Sequence, residues 1–345
     1  MWRLESECRC KIVFMKIAIV KLSALGDIIQ AMVVLQFIKN YNQNIEIDWI
    51  VDQSYKDLLV LHPDVNKIHL VQIKKAKKSK SLYLLLKELR RVRQFSSYDL
   101  VIDMQGLIKS AIIACLIPST ITIGFNKRSI RESFASLFYN KTFNYGYDKN
   151  VIDRNIELIK FALGLTFSKE EIYHKLPFLY PNQNHFISGL SRIKKNILLI
   201  PGASNPSKCY PVEKLAELTT LIDGNYFVIW GDDKEKILAN KIKTLAPNTI
   251  VLKKLSLGEL ISLIKQIDLV IGPDTGPTHI AWALNIPSIT IFGPTPGYRN
   301  TCITNINKII ESDSIVDPNK IDQNDDSIKS IKVRDIVKIS NKLLN

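Results

Sequence analysis

Residues 21–30 of the chain read KLSALGDIIQ and directly follow the apolar run KIAIV. A loop from a first strand into a first helix is where nucleotide-binding folds place a Gly-rich phosphate cradle. This loop holds one glycine, Gly26, and then an acid, Asp27, which repels phosphate. An acid at a helix N-terminus has two uses: a local cap on the helix, or a general base for a hydroxyl in a cleft. Residue types alone leave both open.

The second half of the chain carries the complementary chemistry. In DLVIGPDTGPTHIAWALN (268–285) a strand ends at Ile271 and a helix starts near Pro277, capped by Asp274 or Thr275. The free amides around Thr275 and Gly276, with a donor from His279, suit a diphosphate at a helix N-terminus. IPGASNPSKCYP (200–211) offers Ser204 and the point charge of Lys208 at a neighbouring strand end. In VIWGDDKEK, Glu235 lies one turn past Gly231, as a ribose-binding acid or as an ordinary first-turn acid. The chain contains no Asp-x-Asp triplet, so a metal-bridged diphosphate has no evident site and metal-independent chemistry is expected.

Such loops need strands to hold them. IAIV, IEIDWIV and YDLVIDM read as buried strands, with DIIQAMVVLQFIKN and SLYLLLKELRRVRQF as the helices between them. A helix-rich stretch follows in RESFASLFYN and VIDRNIELIKFALGL. The rhythm breaks over residues 166–195, which are polar and hold two prolines, then restarts at NILLIPG. The expected architecture is α/β, with two Rossmann-like domains facing each other across a cleft. The first is expected over 15–180 and the second over 181–330. The amphipathic helix of residues 331–345 is expected to pack back on the first domain, and residues 1–14 read as an upstream extension with little role in the fold.

With 345 residues, 46% of them hydrophobic, the chain buries a large core, and its length favours two domains. It has no apolar run of membrane-spanning length, and its first residues lack the apolar core of a secretory signal. Five cysteines without a CxxC pair read as reduced cytosolic thiols, with no metal site. The formal net charge of +14 asks for an anionic partner. KKAKKSK (74–80) and RRVR (90–93) flank the apolar LYLLLKEL, a basic amphipathic helix at a surface, facing anionic lipid or only solvent. No zinc knuckle, paired aromatic motif or helix-turn-helix accompanies the charge, which argues against nucleic acid.

Five motifs together, KLSALGDIIQAMVVL, VIDMQGLIKSA, GF…RSIRESFASLFYN, LLIPGAS…K.YP and GPDTGPTHIAWAL…SITIFGPT, resemble the ADP-heptose:lipopolysaccharide heptosyltransferases, a GT-B family. The likeness runs from Met15 to about Arg299, and it is greatest to the branch that adds the first heptose to Kdo on lipid A. The second-heptose branch is the alternative. The resemblance implies that Asp27 is the general base and Lys208 the pyrophosphate lysine. It makes Asp274, Thr275, Gly276 and His279 the donor motif, Glu235 the ribose acid and Leu255 a residue beside the base. Two departures stand out: Ala203 and Ser204 where relatives often have two hydroxyls, and Ser23 and Ala24 where some have paired serines.

The implied acceptor, Kdo-lipid A, is anionic. Lys127, Arg128 and Arg131, with Arg154 and Ser23, are therefore its expected contacts, since an arginine fork matches a carboxylate. The implied location is the cytoplasmic face of the inner membrane, as a peripheral protein. No cofactor is implied, and no second carboxylic acid is needed because ADP leaves as a stable anion. A sugar-nucleotide epimerase and a non-catalytic binding protein are the rival readings.

Overall fold

The computed structural model describes residues 15–345 except 74, 76–78, 80, 182–186, 315 and 318–321. The leader 1–14 and most of the lysine run at 74–80 lie outside the described residues.

The first domain runs β1 (Met15–Val20), α1 (Leu25–Met32), α2 (Val34–Tyr41), β2 (Ile45–Asp52), β3 (Lys67–Val71), α3 (Leu82–Val92) and β4 (Tyr98–Asp103). It continues through α4 (Ile108–Leu116), β5 (Ser119–Phe125), β6 (Lys141–Phe143), α5 (Val151–Leu163) and α6 (Lys169–Tyr173). RESFASLFYN, expected to be helix-rich, holds a six-residue 3-10 helix, Ser133–Phe138, with only Ala135 buried.

The second domain holds β7 (Asn196–Leu199), α7 (Val212–Leu221), β8 (Asn225–Val228), α8 (Asp233–Leu245), β9 (Ile250–Val251) and α9 (Leu257–Ile264). After these come β10 (Leu269–Pro273), α10 (Gly276–Ala283), β11 (Ser288–Phe292), α11 (Gly297–Asn300), β12 (Asn307–Glu311) and α12 (Val333–Leu344).

Each domain has a six-stranded parallel sheet, ordered β3-β2-β1-β4-β5-β6 and β12-β11-β10-β7-β8-β9. The strand order reverses between β1 and β4 and between β7 and β10. Open α/β sheets bind ligands beyond the carboxyl ends of the strands at such reversals. The central strands are sealed by helices on both faces: the last four residues of β1 and all of β7, β10 and β11 are buried.

The domains touch through α1 against α10. Gln30 bridges them by donating from Nε2 to the Asn300 carbonyl at 2.5 Å. The linker is anchored to the second domain, where Lys175 donates to the Trp282 carbonyl at 2.6 Å and the Phe178 amide to the Ala283 carbonyl at 3.1 Å.

The carboxyl-terminal helix differs from expectation. α12 packs on α7, β10 and β11 of the second domain, where the expectation placed it on the first. Ile331, Val333 and Ile336 join Ile197, Leu199 and Tyr210 in one buried cluster, and the Tyr210 hydroxyl donates to the Ile331 carbonyl at 2.9 Å. Amphipathic spacing requires a buried face but does not choose the surface that covers it. Here the apolar edge of α7 is nearest in space and takes it.

Candidate active site

A cavity of about 510 Å³ opens between the two reversal points, lined from the first domain by the Asp27 loop and from the second by the loops after β7, β8 and β10. Asp27 is the third residue of α1, exposed, with Oδ2 accepting the Ala24 amide at 3.1 Å. Asp27 thus caps α1 and also lines the cavity.

The loop is fixed from beneath. Gln105 Oε1 accepts the Leu22 amide at 2.7 Å and the Ser23 amide at 3.3 Å, and its Nε2 donates to Ser23 Oγ at 3.2 Å. The Gln105 amide is in turn held by Asp103 Oδ1 at 2.8 Å. Lys21, buried at the end of β1, donates to the Met104 carbonyl at 2.9 Å. Burial pulls its pKa down, against the upward pull of Asp27 and Asp103.

Across the cavity, Asp274 is the hub of the second-domain wall. Its Oδ2 accepts from Lys208 Nζ at 2.6 Å, Thr295 Oγ1 at 3.3 Å and Asn300 Nδ2 at 3.4 Å, while Oδ1 pairs with His279 Nε2 at 3.2 Å. Burial alone would raise this carboxyl. The His279 hydrogen bond and the Lys208 charge outweigh it and hold the group well below the usual carboxylate range. Thr275 is the N-cap of α10, so the helix start at Gly276 faces the cavity.

Ser204, Glu235 and Leu255 also line it. Glu235 is a first-turn acid of α8 that also lines the cavity. Its amide donates to Asp232 Oδ1 at 2.9 Å, inside the first turn of α8, and its Oε2 accepts the Gly231 amide at 2.6 Å.

The close approach of the halves depends on two glycines. A Cβ on Gly26 would lie 2.5 Å from Cδ2 of His279, and one on Gly276 would strike the Leu25 side chain. The His279 ring cannot swing aside freely, being tied to Asp274 at 3.2 Å and to Gln30 Nε2 at 3.4 Å. Gly26→Ala is expected to displace that ring at a cost of about 1–3 kcal/mol. ADP titration of the variant, expected to bind about tenfold more weakly, is the check; unchanged affinity with an unmoved ring would refute it.

The expected acceptor residues divide. Lys127, Arg128 and Arg131 are exposed around the turn after β5 and do not line the cavity. Ser23 lies behind the Asp27 loop, its hydroxyl held by Gln105 and by Lys109 Nζ at 3.2 Å. Arg154 is a correction. It is 5% exposed and spends its guanidinium on the carbonyls of Tyr145, Gly146 and Ser129 at 2.6–2.8 Å, stacked 4.4 Å from the Phe125 ring. Burial and the nearby Arg299 charge push its pKa down to about 10. Residue type could not tell this structural fork from a ligand fork. Arg154→Leu leaves three carbonyls without their donor and is expected to cost about 3 kcal/mol of stability. Thermal unfolding measures that loss, with acceptor KM unchanged below the transition.

Gln30, Gln105, Trp230 and Arg299 escaped the motif reading. Trp230, Arg299 and Gln30 line the cavity, and Arg299 is held by the Tyr147 carbonyl at 2.9 Å. Their only signal was adjacency: Gln105 follows the β4 strand end, and Trp230 precedes GDD.

Comparison with known proteins places this geometry. Residues 84–326 match the family model for glycosyltransferase family 9 (heptosyltransferase). A lipopolysaccharide heptosyltransferase 1 from Campylobacter coli is 42% identical over 348 residues, covering 95% of this chain and 99% of its own. The protein of the same description from Escherichia coli K12 is 29% identical over 291 residues, 82% of this chain and 89% of its own. Among solved structures, E. coli heptosyltransferase WaaC with ADP superposes with a TM-score of 0.78 at 23% identity, covering 95% of this chain and 100% of that one. E. coli ADP-heptose lps heptosyltransferase II does so with 0.70 at 20%, over 96% and 98%. The fold is therefore GT-B, with the cavity in its interdomain cleft. With the family model spanning most of the chain and a 42% identical relative aligned almost end to end, the chain belongs to glycosyltransferase family 9, the heptosyltransferases.

Proposed function

We propose that the chain transfers heptose from ADP-heptose to a Kdo residue of Kdo-lipid A, the first heptose of the lipopolysaccharide inner core, with inversion at the anomeric carbon. The observation that carries this reading is the opposition, across one cavity, of an acid on the first domain and, on the second, the α10 N-terminus with Lys208 beside it from the loop after β7. Asp27 takes the proton of the acceptor hydroxyl. The hydroxyl oxygen forms the new bond to the anomeric carbon as the bond to the diphosphate breaks, and the electron pair leaves on ADP. Lys208, the amides at the start of α10 and His279 meet the charge growing there. The apolar wall of Ile229, Trp230 and Leu255 suits the adenine, and Glu235 the ribose.

The reaction needs no cofactor and, with the leaving charge met by protein groups, no metal. Arg131, Lys127 and Arg128 are read as contacts for the anionic lipid. No helix among the described residues is long and apolar enough to cross a membrane. Contact with the cytoplasmic leaflet is thus read as peripheral, through the basic residues of the first domain.

The test is ADP release from ADP-heptose, with and without Kdo-lipid A, in the presence of chelator. Acceptor-dependent release that persists with chelator is the expected result. Release only from an acceptor that already carries one heptose moves the chain to the second-heptose role. Loss of release with chelator overturns metal independence.

A further inference from the structure

The first domain carries an apolar face that the transfer chemistry leaves unexplained. α3 has the sequence LYLLLKELRRV, with five leucines and a tyrosine, yet Val92 is its one buried residue. A surface helix normally turns its apolar stripe onto the core. Instead Leu82 and Tyr83 stand 68% and 71% exposed. Beside it, Leu85 and Leu89 of α3 and Ile108 and Ile112 of α4 flank a groove of about 760 Å³. The 3-10 helix Ser133–Phe138 packs against α4 and holds Phe134 and Leu137 at 73% and 77% exposure. The Ile108 amide at the start of α4 donates to Glu132 Oε2 at 2.6 Å and ties α4 to that turn, while α3 packs on α4. Scattered single apolar residues on a surface need no explanation, but this many on adjoining elements do.

Charge around the face selects the occupant. On the opposite flank of α3, Lys87 and Arg90 line a second groove with Tyr83 and Leu86. The acids here are already engaged: Glu88 pairs with Arg91 at 2.5 Å, and Glu132 holds the Ile108 amide. Arg131, exposed, adjoins Glu132. An apolar centre with a cationic rim matches acyl chains beneath anionic headgroups. An acidic protein surface would satisfy the rim and leave Phe134 and Leu137 uncovered.

We infer that α3, the start of α4 and the Ser133–Phe138 turn form a membrane-docking face whose apolar side chains enter an anionic bilayer beside the acceptor's path to Asp27. The link to the site is Lys109, which lines the apolar groove and donates to Ser23 Oγ at 3.2 Å, within the Asp27 loop. Resting on the lipid acceptor proposed above, this face deepens that reading from charge attraction at a surface to insertion. A sugar held at the headgroup level would meet Asp27 without leaving the leaflet.

The experiment is flotation of the full chain with vesicles of phosphatidylglycerol and phosphatidylethanolamine, at low salt and at about 0.5 M salt, where charge attraction is screened. The wild type is expected to float under both conditions. Two double variants, Phe134→Ser with Leu137→Ser and Leu82→Ser with Leu86→Ser, are each expected to lose about tenfold or more of the high-salt binding. Unchanged ADP affinity and melting temperature in the variants exclude misfolding. High-salt binding absent in the wild type, or undiminished from the wild-type level in both variants, overturns the inference and leaves charge alone. Vesicle-free self-association abolished by the same substitutions also overturns it, by assigning the face to a second copy of the chain. Flotation uses no acceptor, so its failure leaves the transfer reading untouched, and a failed transfer assay leaves the flotation result standing.

Discussion

Asp27→Asn is expected to lower kcat by about a hundred- to ten-thousand-fold, the range for loss of a general base, with ADP affinity changed less than about twofold. The separation follows from the geometry. Asp27 stands on the first domain, whereas the hub residues proposed to face the donor, Asp274, Lys208 and His279, stand on the second. The asparagine keeps an oxygen that can accept the Ala24 amide, so the α1 cap at 3.1 Å survives and the loop stays in place. Gln105 still holds the Leu22 and Ser23 amides from below. A fall in turnover therefore reports lost proton abstraction, not a collapsed loop. Acceptor-dependent ADP release gives the rate and isothermal titration with ADP gives the affinity. Turnover near the wild-type level in the asparagine variant would reduce Asp27 to a helix cap and return the base to an unassigned group.

The central strands were legible because burial on both faces writes them as continuous apolar runs: IAIV, ILL and LVIG have no polar member to hide them. The outer strands were not. β6 has the sequence KTF with two exposed residues, and β9 is two residues long. Strands at or near a sheet edge are only partly covered, so their pattern approaches that of a loop. The order of each sheet was equally silent, since strand spacing says nothing about which neighbour a strand takes.

At the site, the loops with unusual residue clusters were readable, because Gly-Pro-Asp-Thr-Gly-Pro is an uncommon way to build a plain turn. What could not be read was the partnership inside them. Asp274 was expected as a cap or donor contact, and its place as the common acceptor of four side chains needs residues from three separate loops. Arg154 shows the opposite limit. A buried arginine that feeds backbone carbonyls and one that waits for a carboxylate have the same letter, and only burial separates them.

That partnership makes Asp274 and Lys208 the sharpest pair to separate. Lys208→Ala removes the cation proposed to face the leaving diphosphate but leaves Asp274 three other donors, Thr295, Asn300 and His279. It is expected to lower kcat by about a hundred- to a thousandfold with a modest loss of stability. Asp274→Asn does the reverse damage first, stranding the largely buried Lys208 charge, 18% exposed, without its anion. Removing one partner of such a pair costs about 3–5 kcal/mol.

The acid limb of stability tells the two apart from a generic defect. The folded Asp274 titrates below its ordinary value of 3.8, so its contribution is complete above that pH and is lost as pH falls further. The wild type should therefore shed stability on acidification below about pH 4, and Asp274→Asn should be less stable at neutral pH and flatter in that acid window. Lys208→Ala removes the charge that helps to depress this carboxyl, so its acid loss should be smaller than that of the wild type. Urea unfolding across that pH range, run beside ADP release at neutral pH, measures both quantities on the same proteins. A neutral-pH stability of Asp274→Asn equal to wild type would mean that the buried pair holds nothing together, and the hub would lose its role in positioning Lys208.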